Sequence, residues 1–413
     1  MRVAVVGAGI GGIACALTLK DHHDITLFES RDRLGGHANT VRVDHEGREI
    51  CVDTGFIVYN ERTYPRLTRF LTELGVETTD APMTFGVRDD RTGLCYGGEN
   101  LNTMFAQRRN LANPRFWLMI REILRFFRTA PALIEREPED ATLGGFLDKH
   151  GFSRDMAERF LIPMGGAIWS SPAARMRDFP LHFFVRFFNN HGMLSLRDRP
   201  QWRTIVGGSR RYVDAAAARL GDRVRLSSPV RTIRRDASGV TLATGNGEEH
   251  FDEVILACHA DQALAMLGDP SVAEREILGA IPYQPSDTAL HTDQSLMPGA
   301  RRAWSAWNAR LTRDERDGPV VTYDLTILQS LRTREHLLVS LNQTDDIDPE
   351  KILMRTTYDH PVFTLAGERA KSRYDEIGGV NRTHYAGAYW YNGFHEDAMR
   401  SAERVCADFG VPL

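Results

Sequence analysis

The chain opens on an unbroken apolar run, Arg2-Val3-Ala4-Val5-Val6-Gly7, in which β-branched residues dominate. A run without polar alternation predicts a strand buried on both faces, as in a parallel sheet. Residues 13–19 then read as helix and Asp24 to Phe28 as a second strand, so the first thirty residues predict a βαβ unit. Residues 84–87 and 93–96 flank Asp89-Asp90-Arg91-Thr92 and read as a hairpin. Between 100 and 195 the spacing becomes helical. From Arg115 to Arg128 apolar residues stand at 116–120, 123, 124, 126 and 127, with Arg121, Arg125 and Arg128 on one face. That pattern predicts an amphipathic basic helix. A second apolar stretch, 180–188, carries Phe183, Phe184, Phe187 and Phe188. Residues 163–170 contain Gly165 and Gly166 beside Trp169 and read as a turn at a helix–helix junction, with cavity lining as the alternative.

Residues 205–260 return to α/β. A helix is expected from 209 to about 220, with short strands at 224–226 and 230–233. A pair is expected across Gly245-Asn246-Gly247, and a buried strand at 251–258. From 269 to 345 a helix precedes strands at 288–291, 304–307, 320–324 and 337–342, which read as an antiparallel sheet. A last helix runs from about 396 to 409.

Composition bounds the function. A chain of 413 residues with 42% hydrophobic content buries a large core and predicts at least two domains. The net charge of −4 argues against a dedicated nucleic-acid binder. Only four of the 51 basic residues are lysines, at 20, 149, 351 and 371. The five cysteines, at 15, 51, 95, 258 and 406, form no Cys-x-x-Cys pair, so a reduced compartment and no metal site are expected. No apolar run reaches membrane-spanning length and the N-terminus is not patterned as a signal peptide. The expected location is cytoplasmic, with peripheral contact at the inner membrane face left open.

The candidate chemistry starts at Gly7-Ala8-Gly9-Ile10-Gly11-Gly12. Following a strand and opening a helix, this is a dinucleotide-binding fingerprint: a tight turn, a backbone free to approach a pyrophosphate, and a helix N-terminus facing it. Glu29 ends the second strand and can accept hydrogen bonds from ribose hydroxyls, which favours FAD or NAD over NADP. A second Gly-Gly turn follows in Ser30-Arg31-Asp32-Arg33-Leu34-Gly35-Gly36-His37, and Asp53-Thr54-Gly55-Phe56 recurs after it. Gly207-Gly208 lacks the βαβ context with an acid, so no second nucleotide site is expected.

These blocks resemble the flavin-containing amine oxidase superfamily, which includes amine oxidases, protoporphyrinogen oxidase, phytoene desaturases and polyenoic fatty acid isomerases. The run Gly35-Gly36-His37-Ala38-Asn39-Thr40, followed by Val52-Asp53-Thr54-Gly55-Phe56, is similar to bacterial proteins often encoded beside cyclopropane-fatty-acyl-phospholipid synthases. The resemblance implies noncovalent FAD held by Gly7, Gly9, Gly11, Gly12, Glu29, Ser30, Arg31, Gly35, Gly36, His37, Thr54, Gly55, Val230 and Cys258. It extends to Gly387, Gly393, Phe394 and His395, where a strand leads into the last helix. A helix N-terminus aimed at the flavin stabilises negative charge on the reduced ring. The implied fold is α/β: a discontinuous Rossmann-type FAD domain (1–80, 200–268, 376–413) interleaved with a mixed-sheet and helical substrate domain (81–199, 269–375).

Departures shape the expected activity. Many amine oxidases carry a lysine near the flavin on a substrate-domain strand; the matching region, 287–292, has none. The family tyrosine of the amine cage is Phe394 here. The expectation is therefore hydride transfer from an apolar, fatty-acyl substrate to flavin N5, giving desaturation or a shifted double bond. Amine oxidation, and a non-catalytic flavoprotein partnering a lipid methyltransferase, stand as alternatives. Phe394, His395 and Tyr391 are the candidates beside the flavin, without an assigned acid or base. For 115–128 and 180–188 two readings remain: helices packed over a cavity, or a membrane-surface entrance whose arginines meet anionic headgroups.

Overall fold

The computed structural model describes residues 1–314 and 320–413. Strand Arg2–Val6 leads through Gly7 into helix Ile10–Leu19 and strand Asp24–Phe28. Five strands form a wholly parallel sheet in the order Val224–Arg225, Asp24–Phe28, Arg2–Val6, Glu253–Leu256, Thr383–Tyr385. Both faces are covered, which is why the first strand carries no polar alternation. Val3 and Val5 pack with residues of helices Ile10–Leu19, Arg210–Leu220 and His395–Asp408. Ala4 and Val6 pack on the other side with Ile233, Val240 and Leu242 of a three-stranded antiparallel sheet.

A seven-stranded mixed sheet is the second layer. Its order is Ile352–Pro361, Tyr283–His291, Leu338–Leu341, Val321–Asp324, Trp307–Leu311, Phe85–Asp89, Leu94–Gly97. Only Trp307–Leu311 and Phe85–Asp89 run parallel; the other neighbours are antiparallel. The strand expected at 304–307 begins at Trp307 instead. Residues 301–303 form a 3-10 turn, and Trp304 spends its indole N–H on Pro298 O (2.8 Å).

Helices between 101 and 190 cover this sheet with a phenylalanine-rich core. Pro114–Leu133 is longer than its periodicity suggested, and Asn113 Oδ1 caps it by accepting from Arg115 N–H (3.1 Å). In Leu181–Asn190, Leu181, Phe184, Val185, Phe187 and Phe188 are buried, so this stretch is core rather than surface. Residues 163–170 are not a turn. They belong to helix Ile162–Trp169, which ends where Ser170 turns left-handed (φ 51°). Pro163 has no N–H to offer the carbonyl of Arg159, and Tyr96 Oη–H donates to that carbonyl instead (2.6 Å). The chain just before it, Ala157–Leu161, widens into a π turn.

Candidate active site

A cavity of about 680 Å³ runs between the two layers. At one end stands the N-terminus of helix Ile10–Leu19. It has no side-chain cap and no acid in its first turn, so its orphan amides face the space lined by Gly7, Ala8, Gly9, Ile10 and Gly11. The glycines have different tasks. A Cβ on Gly7 (φ +103°) would lie 2.7 Å from Ala257 O, and one on Gly12 only 1.9 Å from Gly7 O. A Cβ on Gly9 would meet nothing within 4 Å. Gly7 and Gly12 are therefore required by the protein's own packing, whereas Gly9 borders open space.

Glu29 is buried at this end. Its carboxylate accepts from Ala8 N–H (3.0 Å), Arg31 N–H (2.9 Å) and Ser30 Oγ–H (3.2 Å), which pins the strand end to the glycine turn. Ser30, Arg31, Gly35, Gly36, Val230 and Cys258 also line the cavity. Burial pushes the Cys258 thiol up to about 12, so it is a neutral wall group. Arg33, not singled out by sequence, threads the second glycine turn, donating to Gly36 O (3.2 Å), Leu34 O and Ala38 O (both 3.4 Å).

Further along, His37 lies among His259 (ring centroids 5.9 Å), His360 (5.5 Å) and Tyr358 (5.2 Å). Tyr358 Oη shares a 2.8 Å hydrogen bond with Thr54 Oγ1. Burial, reinforced by the other histidines, holds His37 well below the ordinary histidine range, and burial lowers His360 to about 4. The cluster is neutral at physiological pH. His37 and Thr54 were legible in sequence. His259, Tyr358 and His360 were not, because strand pairing alone brings residues 358 and 360 to the glycine turns.

Beside the glycine turn, where a Cβ on Gly11 would lie 3.7 Å from Ala398 O, the first turn of helix His395–Asp408 opens onto the cavity at Gly393, Phe394 and His395. Asp397 accepts from Phe394 N–H (2.9 Å) and from Asn392 Nδ2–H (3.0 Å), fixing the turn. The His395 ring stacks on Phe56 (3.7 Å) and shares a 3.0 Å hydrogen bond with Tyr212 Oη. Burial lowers it to about 3, so it serves as a neutral, held ring. Phe394 lies against Phe187 (5.0 Å). Gly387 is at the wall, but Tyr391 is not among the lining residues; it lies under the Arg400 guanidinium (4.0 Å). Its carbonyl accepts from the Lys371 ammonium (2.8 Å), a buried group between Phe183 and Phe363 that sequence reading did not find.

Beyond the glycine turns the wall is apolar: Ile57, Met83, Trp169, Phe187, Met193 and Phe363. Ala167 to Ser170 also contribute, so the stretch expected to be a junction lines the cavity. Among the described residues, the only lining carboxylates are Glu29, at the glycine turn, and Asp359, whose charge acts on His259; no lysine lines it. Also among them, no cluster of histidine, cysteine or acidic side chains suits a metal ion, and no helix is long and apolar enough to cross a membrane.

The sequence profile for flavin containing amine oxidoreductases matches residues 10–295. A curated relative, "Putative flavin-containing monoamine oxidase AofH" of Mycobacterium tuberculosis, is 27% identical over 328 residues, 74% of this chain. The chain spans 66% of that relative's length. Among solved structures, putrescine oxidase bound to putrescine superposes with a TM-score of 0.70 at 17% identity, covering 99% of both chains. A fatty acid isomerase from P. acnes that produces CLA superposes with a TM-score of 0.70 at 16% identity, again over 99% of both chains. At such identities the superpositions establish the fold.

Proposed function

The chain belongs to the flavin-containing amine oxidoreductase family, and from that premise we propose that it is an FAD-dependent oxidoreductase acting on an apolar, fatty-acyl substrate. The glycine cradle at 7–11, the uncapped helix behind it and Glu29 suit the diphosphate and ribose of noncovalent FAD. When bound, FAD supplies the hydride acceptor needed for desaturation, or for double-bond isomerisation when the hydride is returned. On this reading residues 1–80, 200–268 and 376–413 carry the cofactor, and 81–199 and 269–375 carry the substrate.

The protein's own contribution is positioning and dryness. The first turn of helix His395–Asp408 presents its positive dipole end to the cavity, with Asp397 holding the turn in place. Phe394 and Phe187 exclude water on the apolar side, and His395, neutral and fixed by Tyr212, adds no charge there. The observation that carries the substrate class is the wall of Ile57, Met83, Trp169, Phe187, Met193 and Phe363, which offers no carboxylate to a cationic amine. Amine oxidation is the second reading, favoured by the names of AofH and putrescine oxidase. A membrane-borne substrate implies peripheral contact with the bilayer, and a lipid methyltransferase is the class of partner that would share it.

Anaerobic flavin reduction tests the reading. The purified holoprotein is mixed with bacterial phospholipid extract or with an amine panel, and the oxidised-flavin band is followed. Bleaching by lipid alone is expected. Bleaching by an amine alone would replace the reading with the second one. A flavin that neither reduces, in a protein that also leaves added unsaturated lipid unchanged, would leave a non-catalytic flavoprotein.

A further inference from the structure

The helical layer packed around the phenylalanine-rich core presents its outer side to solvent at residues 101–128. Four of the eleven large apolar side chains left exposed among the described residues lie in the first eighteen positions of that stretch: Leu101 (73% exposed), Leu111 (52%), Trp117 (46%) and Leu118 (38%). Arg108, Arg109, Arg115, Arg121, Arg125 and Arg128 share the stretch. The partners found for four of them include main-chain carbonyls: Arg108 on Phe105 O (2.8 Å), Arg109 on Gly93 O (3.2 Å), Arg125 on His150 O (3.1 Å), Arg128 on Leu124 O (3.3 Å). Among the described residues none of the six is paired with a carboxylate. The one acid from 101 to 134, Glu122, is buried and accepts from Ser153 N–H (3.3 Å).

We propose that this face docks on an anionic phospholipid bilayer, and that a small cavity at its edge takes a lipid phosphate. Along Pro114–Leu133, residues Trp117, Leu118, Arg121, Arg125 and Arg128 share the side opposite the buried Phe116, Met119, Ile123 and Phe126. Trp117 satisfies its indole N–H on Leu111 O (2.9 Å), leaving an aromatic face half exposed beside guanidinium groups. Apolar anchors rimmed by cations that have no carboxylate partner match the acyl–headgroup boundary of an anionic leaflet.

The cavity measures about 380 Å³ and is lined by Arg109, Asn110, Asn113, Arg115, Asp155 and Arg159 among others. Arg159 is taken by Asp155 (2.8 Å) and Asp89 (3.2 Å), which leaves Arg109 and Arg115 as uncompensated charge. Asn110 is 3% exposed, and its side-chain nitrogen has no partner. A donor-rich pocket with net positive charge suits a phosphate oxygen cluster. The sequence pattern announced only the arginines of the helix. Arg109, Asn110 and the Thr92–Leu94 wall are brought to it by the fold.

Vesicle sedimentation of the flavin-loaded protein tests this. The vesicles are phosphatidylcholine alone, or phosphatidylcholine with roughly one third phosphatidylglycerol. Binding to the anionic vesicles, release by high salt and little binding to neutral ones are expected. Arg109→Gln with Arg115→Gln should weaken partition roughly thirtyfold, at about fivefold per charge. Trp117→Ser with Leu118→Ser should weaken it too, both pairs keeping the flavin spectrum and melting temperature. Partition unchanged by either pair, or equal binding to neutral vesicles, overturns the proposal. So does release by millimolar glycerol phosphate with the Trp117/Leu118 pair inert, which would assign the pocket to a soluble phosphate. The inference uses the fatty-acyl reading only to explain why a bilayer is met. Docking by a protein whose flavin no lipid reduces, and which leaves added unsaturated lipid unchanged, defeats that reading alone, and lipid turnover without docking defeats this one.

Discussion

Replacing Gly9 by alanine separates what the fold requires from what a ligand requires. Gly9 has φ −69° and ψ 177°, a conformation open to any L-residue, and its new methyl would meet no protein atom within 4 Å. Alanine also restricts the unfolded chain, so the apoprotein should be unchanged or about 0.4–1 kcal/mol more stable. The same methyl borders the space in front of the first amides of helix Ile10–Leu19, where the diphosphate of FAD is proposed to lie. Losing two charge-assisted backbone hydrogen bonds, at about 1.5–3 kcal/mol each, amounts to roughly 3–6 kcal/mol. That is a loss of affinity of roughly a hundredfold to ten-thousandfold. Gly12→Ala is the contrast: its methyl would sit 1.9 Å from Gly7 O, so the apoprotein itself should fail. The assay strips the flavin, measures apoprotein unfolding in urea and then titrates FAD by its visible band. An apoprotein destabilised by several kcal/mol, or Gly9→Ala protein that binds FAD as tightly as the parent, would refute the reasoning.

Other expectations follow from buried charge and packing. Glu274→Ala should cost about 3–5 kcal/mol in urea unfolding, because it strips the nearly inaccessible Arg235 of its 2.5 Å partner and leaves Tyr385 Oη without its acceptor. Burial holds His191 and His360 at about 4 and His395 at about 3, so the unfolded chain binds more protons below the ordinary histidine value. Their contribution to stability is complete above about pH 6.5 and is lost as pH falls toward 4; melting curves across that window should show the fall, and a flat profile would contradict it. Trp169→Ala should cost about 3–5 kcal/mol, since its ring touches Phe179 (4.7 Å), Phe187 (4.8 Å) and four further phenylalanines. Met83→Lys places a cation in the apolar wall and should cut flavin reduction by lipid at least tenfold while FAD content is retained.

Local chemistry made the first βαβ unit and its glycine turn legible. The run of Val3 to Val6 specifies a doubly buried strand, Gly7 and Gly12 specify a turn and a close helix, and Glu29 marks the end of the second strand. All of that lies within thirty residues, where period, glycine spacing and an acid suffice. The last helix was equally plain, because Gly393-Phe394-His395 precedes an amphipathic segment. The middle was harder. Residues 163–170 suggested a turn through their glycines, yet the helix continues because Gly165 packs under Met176 and Phe184, where a Cβ would lie 2.4 and 2.9 Å away. Burial overrode propensity there. Tyr391 sat beside the right motif, but the 3-10 turn Ala388–Trp390 and the Lys371 bond to its carbonyl place it outside the cavity wall.

The sequence by itself determined the first strand–turn–helix–strand unit and its glycine turn, since each requirement there is met by residues close in the chain. Tertiary structure decided the rest. His37 meets His360 and Tyr358 only because strand Ile352–Pro361 pairs with Tyr283–His291, and Trp169 meets Phe363 only across the packed layers. An apolar residue reads the same in sequence whether it fills a core or faces a substrate. Which of the two it does is fixed by whether a neighbour from another element arrives to cover it.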